Sequence, residues 1–103
     1  MTVFETLQAY AEPKGMAVVY GRHTKKVKTP YLLLTGAGQD HFEADTTYYV
    51  TKDRWTLEYY YTQKDPQIEG EIEALLLENG FRYEKSEDLY LDDQEVFMIY
   101  YDF

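Results

Sequence analysis

The sequence predicts an α+β protein in which a single, mostly antiparallel sheet carries two packed helices, in the order α-β-β-β-β-α-β-β. Two segments place apolar residues at helical spacing between capping signals. Six strand-length segments, rich in tyrosine and β-branched residues, stand around them, with two of them after the second helix. The 103 residues are enough for one modest core, so 1–103 reads as one domain.

Thr2 is placed to cap the first helix, and Glu5 three residues later completes a capping-box pattern. Val3, Phe4, Leu7, Tyr10 and Ala11 follow as one apolar face, and Pro13 and Gly15 stop the helix. Residues 16–20 read as a short strand with Met16, Val18 and Tyr20 on one side. Residues 21–29 are polar, basic and turn-like. Pro30 opens a strand over 31–35, a permitted place for a residue that cannot donate to the ladder. Gly36-Ala37-Gly38 is expected to break that strand, leaving 39–45 as a loop.

A hairpin is expected from strands at 48–50 and 55–62, with its turn near Lys52-Asp53. In the second of these, Trp55, Leu57, Tyr59 and Tyr61 share one face, while Thr56, Glu58, Tyr60 and Thr62 share the other. Asp65 then serves as an N-cap and Pro66 as the first helical residue. Ile68, Ile72, Leu75 and Leu76 form the apolar stripe of the second helix, and Glu69, Glu71, Glu73 and Glu78 are assigned to its remaining faces. Gly70 costs roughly 1 kcal/mol against Ala there, which points to close helix–strand packing. Asn79-Gly80 ends the helix in a left-handed turn. Strands at 81–85 and 96–103 complete the sheet, with an acidic turn region at 87–95 between them.

Composition narrows the function classes. No run approaches the ~18 apolar residues of a membrane span, and Phe4, Leu7 and Tyr10 are interleaved with Glu5, Gln8 and Glu12, unlike a signal peptide. The absence of cysteine removes disulfides, thiolate metal sites and cysteine nucleophiles. The net charge of −9 is unevenly placed: residues 1–64 carry eight Lys/Arg and seven Asp/Glu, residues 65–103 two and twelve. Such an acidic chain is a poor direct partner for nucleic acid, where affinity comes mainly from neutralising phosphates.

Chemistry-bearing motifs are sparse. Asp40, His41, Glu43 and Asp45 combine one imidazole with carboxylates, weak evidence for a transition metal. They lack the EF-hand spacing for calcium, and a solvated turn is favoured. Gly36-Ala37-Gly38 lacks the phosphate-loop pattern and no helix pattern follows it. Glu87, Asp88, Asp92 and Asp93 lie on a polar turn, without the contrasting environments of an acid–base pair. No catalytic, cofactor-binding or metal residue is assigned, and no cofactor is expected.

Charge and tyrosine carry the remaining signal. The basic stretch Arg22, Lys25, Lys26 and Lys28 and the acidic turn with Asp88, Asp92 and Asp93 are candidates for opposed, complementary edges of a subunit contact; ordinary solvated charge is the other reading. Tyr48 and Tyr60 belong to runs of neighbouring strand tyrosines that must point to both sheet faces. Either they form an interface, where tyrosine buries area at low entropy cost, or cross-strand pairs that stabilise the sheet.

Phe42-Glu43-Ala44-Asp45, Tyr48-Tyr49, Trp55-Thr56-Leu57-Glu58-Tyr59-Tyr60, Thr62 and Lys64-Asp65 together resemble tail-component proteins of Gram-positive phages and prophages. The likeness continues through Glu69, Ile72, Leu76, Gly80-Phe81, Tyr83, Glu84, Lys85, Tyr90-Leu91 and the ending Tyr100-Tyr101-Asp102-Phe103, covering roughly 16–103. The resemblance implies a tail terminator or tail-completion protein, similar to the minor tail protein U and tail-to-head joining group. It further implies an α/β subunit of a homo-hexameric ring in the virion tail, made in the host bacterial cytoplasm. Its partners would be the tail tube protein and the head–tail connector proteins, with no catalytic residue, no membrane and no sequence-specific nucleic-acid binding. The basic 22–28 loop and the tyrosine density depart from the family pattern. The alternatives are a small acidic protein-binding module, an inhibitor or adaptor encoded by a prophage, and a head-closure or neck ring protein.

Overall fold

A long two-stranded ribbon forms the spine of the computed structural model, which describes residues 2–22, 27–45 and 48–103, and of 41–45 and 48–51 the backbone alone. The elements run α1 (Val3–Ala11), a 3-10 turn (Glu12–Lys14), β1 (Ala17–Tyr20), β2 (Tyr31–Asp45), β3 (Tyr48–Tyr61), α2 (Pro66–Glu78), β4 (Glu84–Lys85), β5 (Leu89–Leu91) and β6 (Val96–Asp102). The sheet order is β1-β2-β3-β6-β4, and β5 also pairs with β6. Every pairing is antiparallel except β1 with β2. The α+β class holds, with two helices on a mostly antiparallel sheet.

The element order differs from expectation in the middle and at the end. Residues 39–45 are strand, not loop, and the expected break at Gly36–Gly38 is a register shift between Gly36 and Gln39 within the ribbon. Gly38 sits at φ 92°, which glycine adopts without a Cβ clash, so the ribbon bulges and continues. Lys52 and Asp53 do not form a turn. They pair with Asp40 and Gln39, and the reversal comes after Asp45, which pairs with Tyr48. The two strands expected at 48–50 and 55–62 are therefore one. The last third holds three strands, because 89–91 folds back on 96–98 around the acidic turn.

The helix ends follow their sequence signals. Thr2 Oγ1 accepts from the Glu5 amide at 3.1 Å and Glu5 Oε1 from the Thr2 amide at 3.0 Å, the reciprocal capping box. Asp65 Oδ1 accepts from the Gln67 and Ile68 amides, with Pro66 at the first helical position. At the other end of α2, Gly80 takes φ 82°, and the Gly80 and Phe81 amides donate to the Leu77 and Leu76 carbonyls. Gly70 does not mark close packing: a Cβ there would meet nothing within 4 Å.

Both helices lie on one face of the sheet. Leu7 and Ala11 of α1 and Ile72 and Leu76 of α2 pack with Leu32, Leu34, Leu57, Tyr59, Tyr61, Ile99, Tyr101 and Phe103. Each fully buried aliphatic side chain here is worth about 1.5–3 kcal/mol. Tyr59, Tyr61 and Phe97 stack in series at centroid distances of 5.3 and 5.4 Å. The opposite face holds a smaller cluster of Tyr31, Leu33 and Tyr60, flanked by Val19, Val27, Leu91, Val96 and Met98.

Asp65 satisfies two amides that α2 otherwise leaves unpaired. Asp65→Ala should lower stability by about 1 kcal/mol, read as a fall of about 5 °C in the thermal midpoint. An unchanged midpoint would show that the cap contributes nothing in this context.

Candidate subunit interface

The predicted interface residues fall into three environments. Arg22 and Lys28 are exposed and close to the two ends of the connection between β1 and β2, while Lys25 and Lys26 lie outside the described residues. Tyr48 opposes Asp45 at the far end of the ribbon; its side chain lies outside the description. Tyr60, expected on a partner surface, is only 6% exposed within its own subunit. Its ring stacks on Tyr31 at 4.7 Å with 10° between planes, and its hydroxyl donates to Glu58. The face looked open in the sequence because the strands alternate. The β1–β2 connection and the β5–β6 hairpin bring Val27, Leu91 and Val96 over it.

Asp92 and Asp93 are exposed on the β5–β6 turn, where the Gln94 and Glu95 amides both donate to the Leu91 carbonyl. With Gln94, Glu95 and Val96 they form one wall of a groove of about 540 Å³ whose other wall is Val27, Thr29 and Tyr31. Val27 and Thr29, from the connection before β2, thus face the acidic turn across one groove, and neither Arg22 nor Lys28 lines it.

Asp88 is engaged internally. Its carboxylate accepts from Lys64 at 2.8 Å and from the Tyr61 hydroxyl. These two hydrogen bonds hold it below the usual carboxylate range. Lys64 also meets Glu69, at 2.8 Å to Oε2 as a charge contact and 3.0 Å to Oε1 as a hydrogen bond. Lys85 reaches Glu69 at 3.1 Å and Glu73 at 2.7 Å, and Glu73 accepts from the Tyr101 hydroxyl at 2.9 Å. Burial opposes ionisation of Glu73, but Lys85 and Tyr101 outweigh it and hold the carboxyl below its ordinary value. Burial and then the Glu73 carboxylate push the Tyr101 hydroxyl up.

Glu69 is the member of this network that the sequence reading misplaced. Expected among the faces of α2 outside its apolar stripe, its side chain is only 5% exposed. The signal was present in the spacing: 69, 72 and 76 stand at i, i+3 and i+7, the stripe on which Ile72 and Leu76 are buried. A charge on that stripe persists only with partners, and Lys64 and Lys85 reach it from the loop after β3 and from β4. A second tie joins α2 to the N-terminal helix. Glu71 accepts from Tyr10 at 2.7 Å and pairs with Lys14 at 3.0 Å, and Tyr10, Lys14 and Gln67 hold it down to about 2.

The element most open to a partner is the outer part of the ribbon. Pairing of β1 with β2 stops at Leu34, and pairing of β6 with β3 stops at Thr56. Beyond the Gly36–Trp55 pair, β2 and β3 run out together to Asp45 and Tyr48 with no third strand among the described residues. Seven residues from Gln39 to Asp45 span about 23 Å, and the molecule measures 51 × 28 × 25 Å. Cross-strand contacts brace the root of this arm: Gln39 donates to Asp53 at 2.7 Å, and Arg54 pairs with Asp40 at 3.3 Å. Sequence reasoning missed the arm because the glycines at 36 and 38 were read as a stop instead of a bulge. Among the described residues no three His, Asp or Glu side chains gather as a metal site, and no helix is long and apolar enough to cross a membrane.

No protein-family model and no curated protein matches this chain.

The two lysines and Glu69 differ in exposure, and this sets an order of mutant effects. Lys64→Met with Lys85→Met strands a buried carboxylate and should cost about 3–5 kcal/mol, whereas Glu69→Leu releases half-exposed lysines to water and should cost about 1 kcal/mol. Chemical denaturation of both variants checks this, and equal costs would remove the clamp. The folded-state pKa values of Glu73 and Asp88 are depressed, so their contribution is complete above the unfolded carboxylate values near 4 and is lost as pH falls through the folded ones. The melting temperature should therefore drop on acidification below about pH 4, and drop less in the double lysine variant.

Proposed function

We propose that this chain is a structural phage or prophage tail protein: a tail terminator that forms a ring on the tail tube, ends its growth and joins the tail to the head connector. The observation that carries this reading is the projecting arm. A two-stranded ribbon without a third strand or a helix against it is marginal in water, so an arm about 23 Å long acquires its packing from another protein surface. A ring of identical subunits supplies such a surface once per contact, through two different patches that meet head to tail. The family likeness of the strand and cap residues, from Phe42 through Phe103, supports the same reading.

The groove bounded by Asp92, Asp93 and Glu95 favours a second reading, a small acidic module that engages a basic partner. Solution mass separates the two. Light scattering across concentration, at low and high salt and with purified tail tube protein, should give a species of several subunits, and electron microscopy should show it as a ring. A strict monomer under all these conditions, with tube protein left unbound, would favour the acidic module.

A further inference from the structure

The two edges of the sheet are unlike each other. One is built from β4 and β5, pieces of two and three residues separated by Ser86–Asp88 and bearing Glu84 and Lys85. Short, charged, interrupted edges resist strand pairing. The other is β1, Ala-Val-Val-Tyr, with no charge and no proline, and its outer side has no strand partner among the described residues. Alternate N–H and C=O groups along β1 point outward to that side. On the helix side of the same edge, Gln8, Glu12, Met16 and Val18 line a cleft of about 450 Å³, room for the side chains of one more strand.

The arm is the complementary part. Its two strands also have no outer strand partner among the described residues, and residues 39–54 carry Asp40, Glu43, Asp45 and Asp53 against Lys52 and Arg54, a net charge of −2. The β1 edge is followed by Arg22, and Lys28 lies three residues before Tyr31, the residue paired with Ala17. Both are exposed, and neither has an ion-pair partner among the described residues. We propose that the open edge of β1 takes up the arm of a second copy of this chain as an added strand. The arm's acidic excess then lies between Arg22 and Lys28. Backbone pairing supplies the affinity and the flanking charges supply the register. The contact joins two different patches, so repetition gives a ring where the rotation closes; in this respect it rests on the tail-terminator reading.

The chain has no cysteine, so introduced cysteines report this contact alone. Purified Ala17→Cys protein is mixed under mild oxidation with Asp40→Cys protein, and separately with Lys52→Cys protein. The expected result is a covalent dimer in at least one mixture and in none of the single proteins. Ala17→Lys should lose the assembled species while its monomer keeps the wild-type circular dichroism. Wild-type assembly with no cross-link in either mixture, and with Ala17→Lys unaffected, overturns the strand addition and leaves the ring reading standing. A disulfide in Ala17→Cys alone overturns it in favour of β1 pairing with β1. A wild-type chain that stays monomeric at every concentration and salt, with or without tail tube protein, overturns both.

Discussion

Glu69 is the point at which the helix layer and the sheet are joined electrostatically, and much of the architecture is arranged to keep its charge there. A carboxylate on the buried stripe of α2 is several kcal/mol too costly to leave alone. Lys64, just past the end of β3, and Lys85 in β4 supply the opposing charge from two directions. Each lysine spends its remaining donor capacity on a further acid, Asp88 for Lys64 and Glu73 for Lys85. Tyr61 and Tyr101 close the network from the sheet. One buried charge therefore orients α2, the loop before it, β4 and the approach to β5.

This clamp accounts for part of the tyrosine content. A sheet face that packs a charged helix benefits from side chains with an apolar ring and a polar tip. Tyr61 and Tyr101 place their rings in the core and their hydroxyls on carboxylates, and Tyr10 does the same from α1 toward Glu71. The opposite face uses Tyr31 and Tyr60 in another way, as a stacked pair packed by Val27, Leu91 and Val96. Tyr31, Tyr60, Tyr61 and Tyr101 thus serve the subunit's own packing, whereas Tyr20 of β1 and Tyr90 of β5 are exposed.

The arm and the β1 edge stand apart from the clamp. The clamp joins α2 to β3, β4 and the 86–88 segment, while the arm leaves the sheet beyond the last pairs of β1 and β6. A body with its own core can carry such an extension because the ribbon's register is set at its root by pairs continuous with the sheet. The bulge at Gly36–Gln39 redirects the strand there without breaking it. The packed body and the projecting ribbon are in this way distinct parts of a small chain.

Local chemistry determined the parts of this protein that depend on neighbours in sequence. The capping box at Thr2 and Glu5, the Asp65-Pro66 start and Asn79-Gly80 exit of α2, the face alternation of 55–62 and the α+β class were all legible, because each follows from residues within a few positions of one another. Tertiary structure decided the rest, through partners distant in sequence. Glu69 lies buried because Lys85, 16 residues away, comes to meet it. Gly36–Gly38 became a bulge because β3 supplied a partner on the far side. Tyr60 became interior because Val27, Leu91 and Val96 pack over its face. A helical wheel could place Glu69 on the buried stripe, but only long-range pairing could bring the cations that allow a charge to remain there.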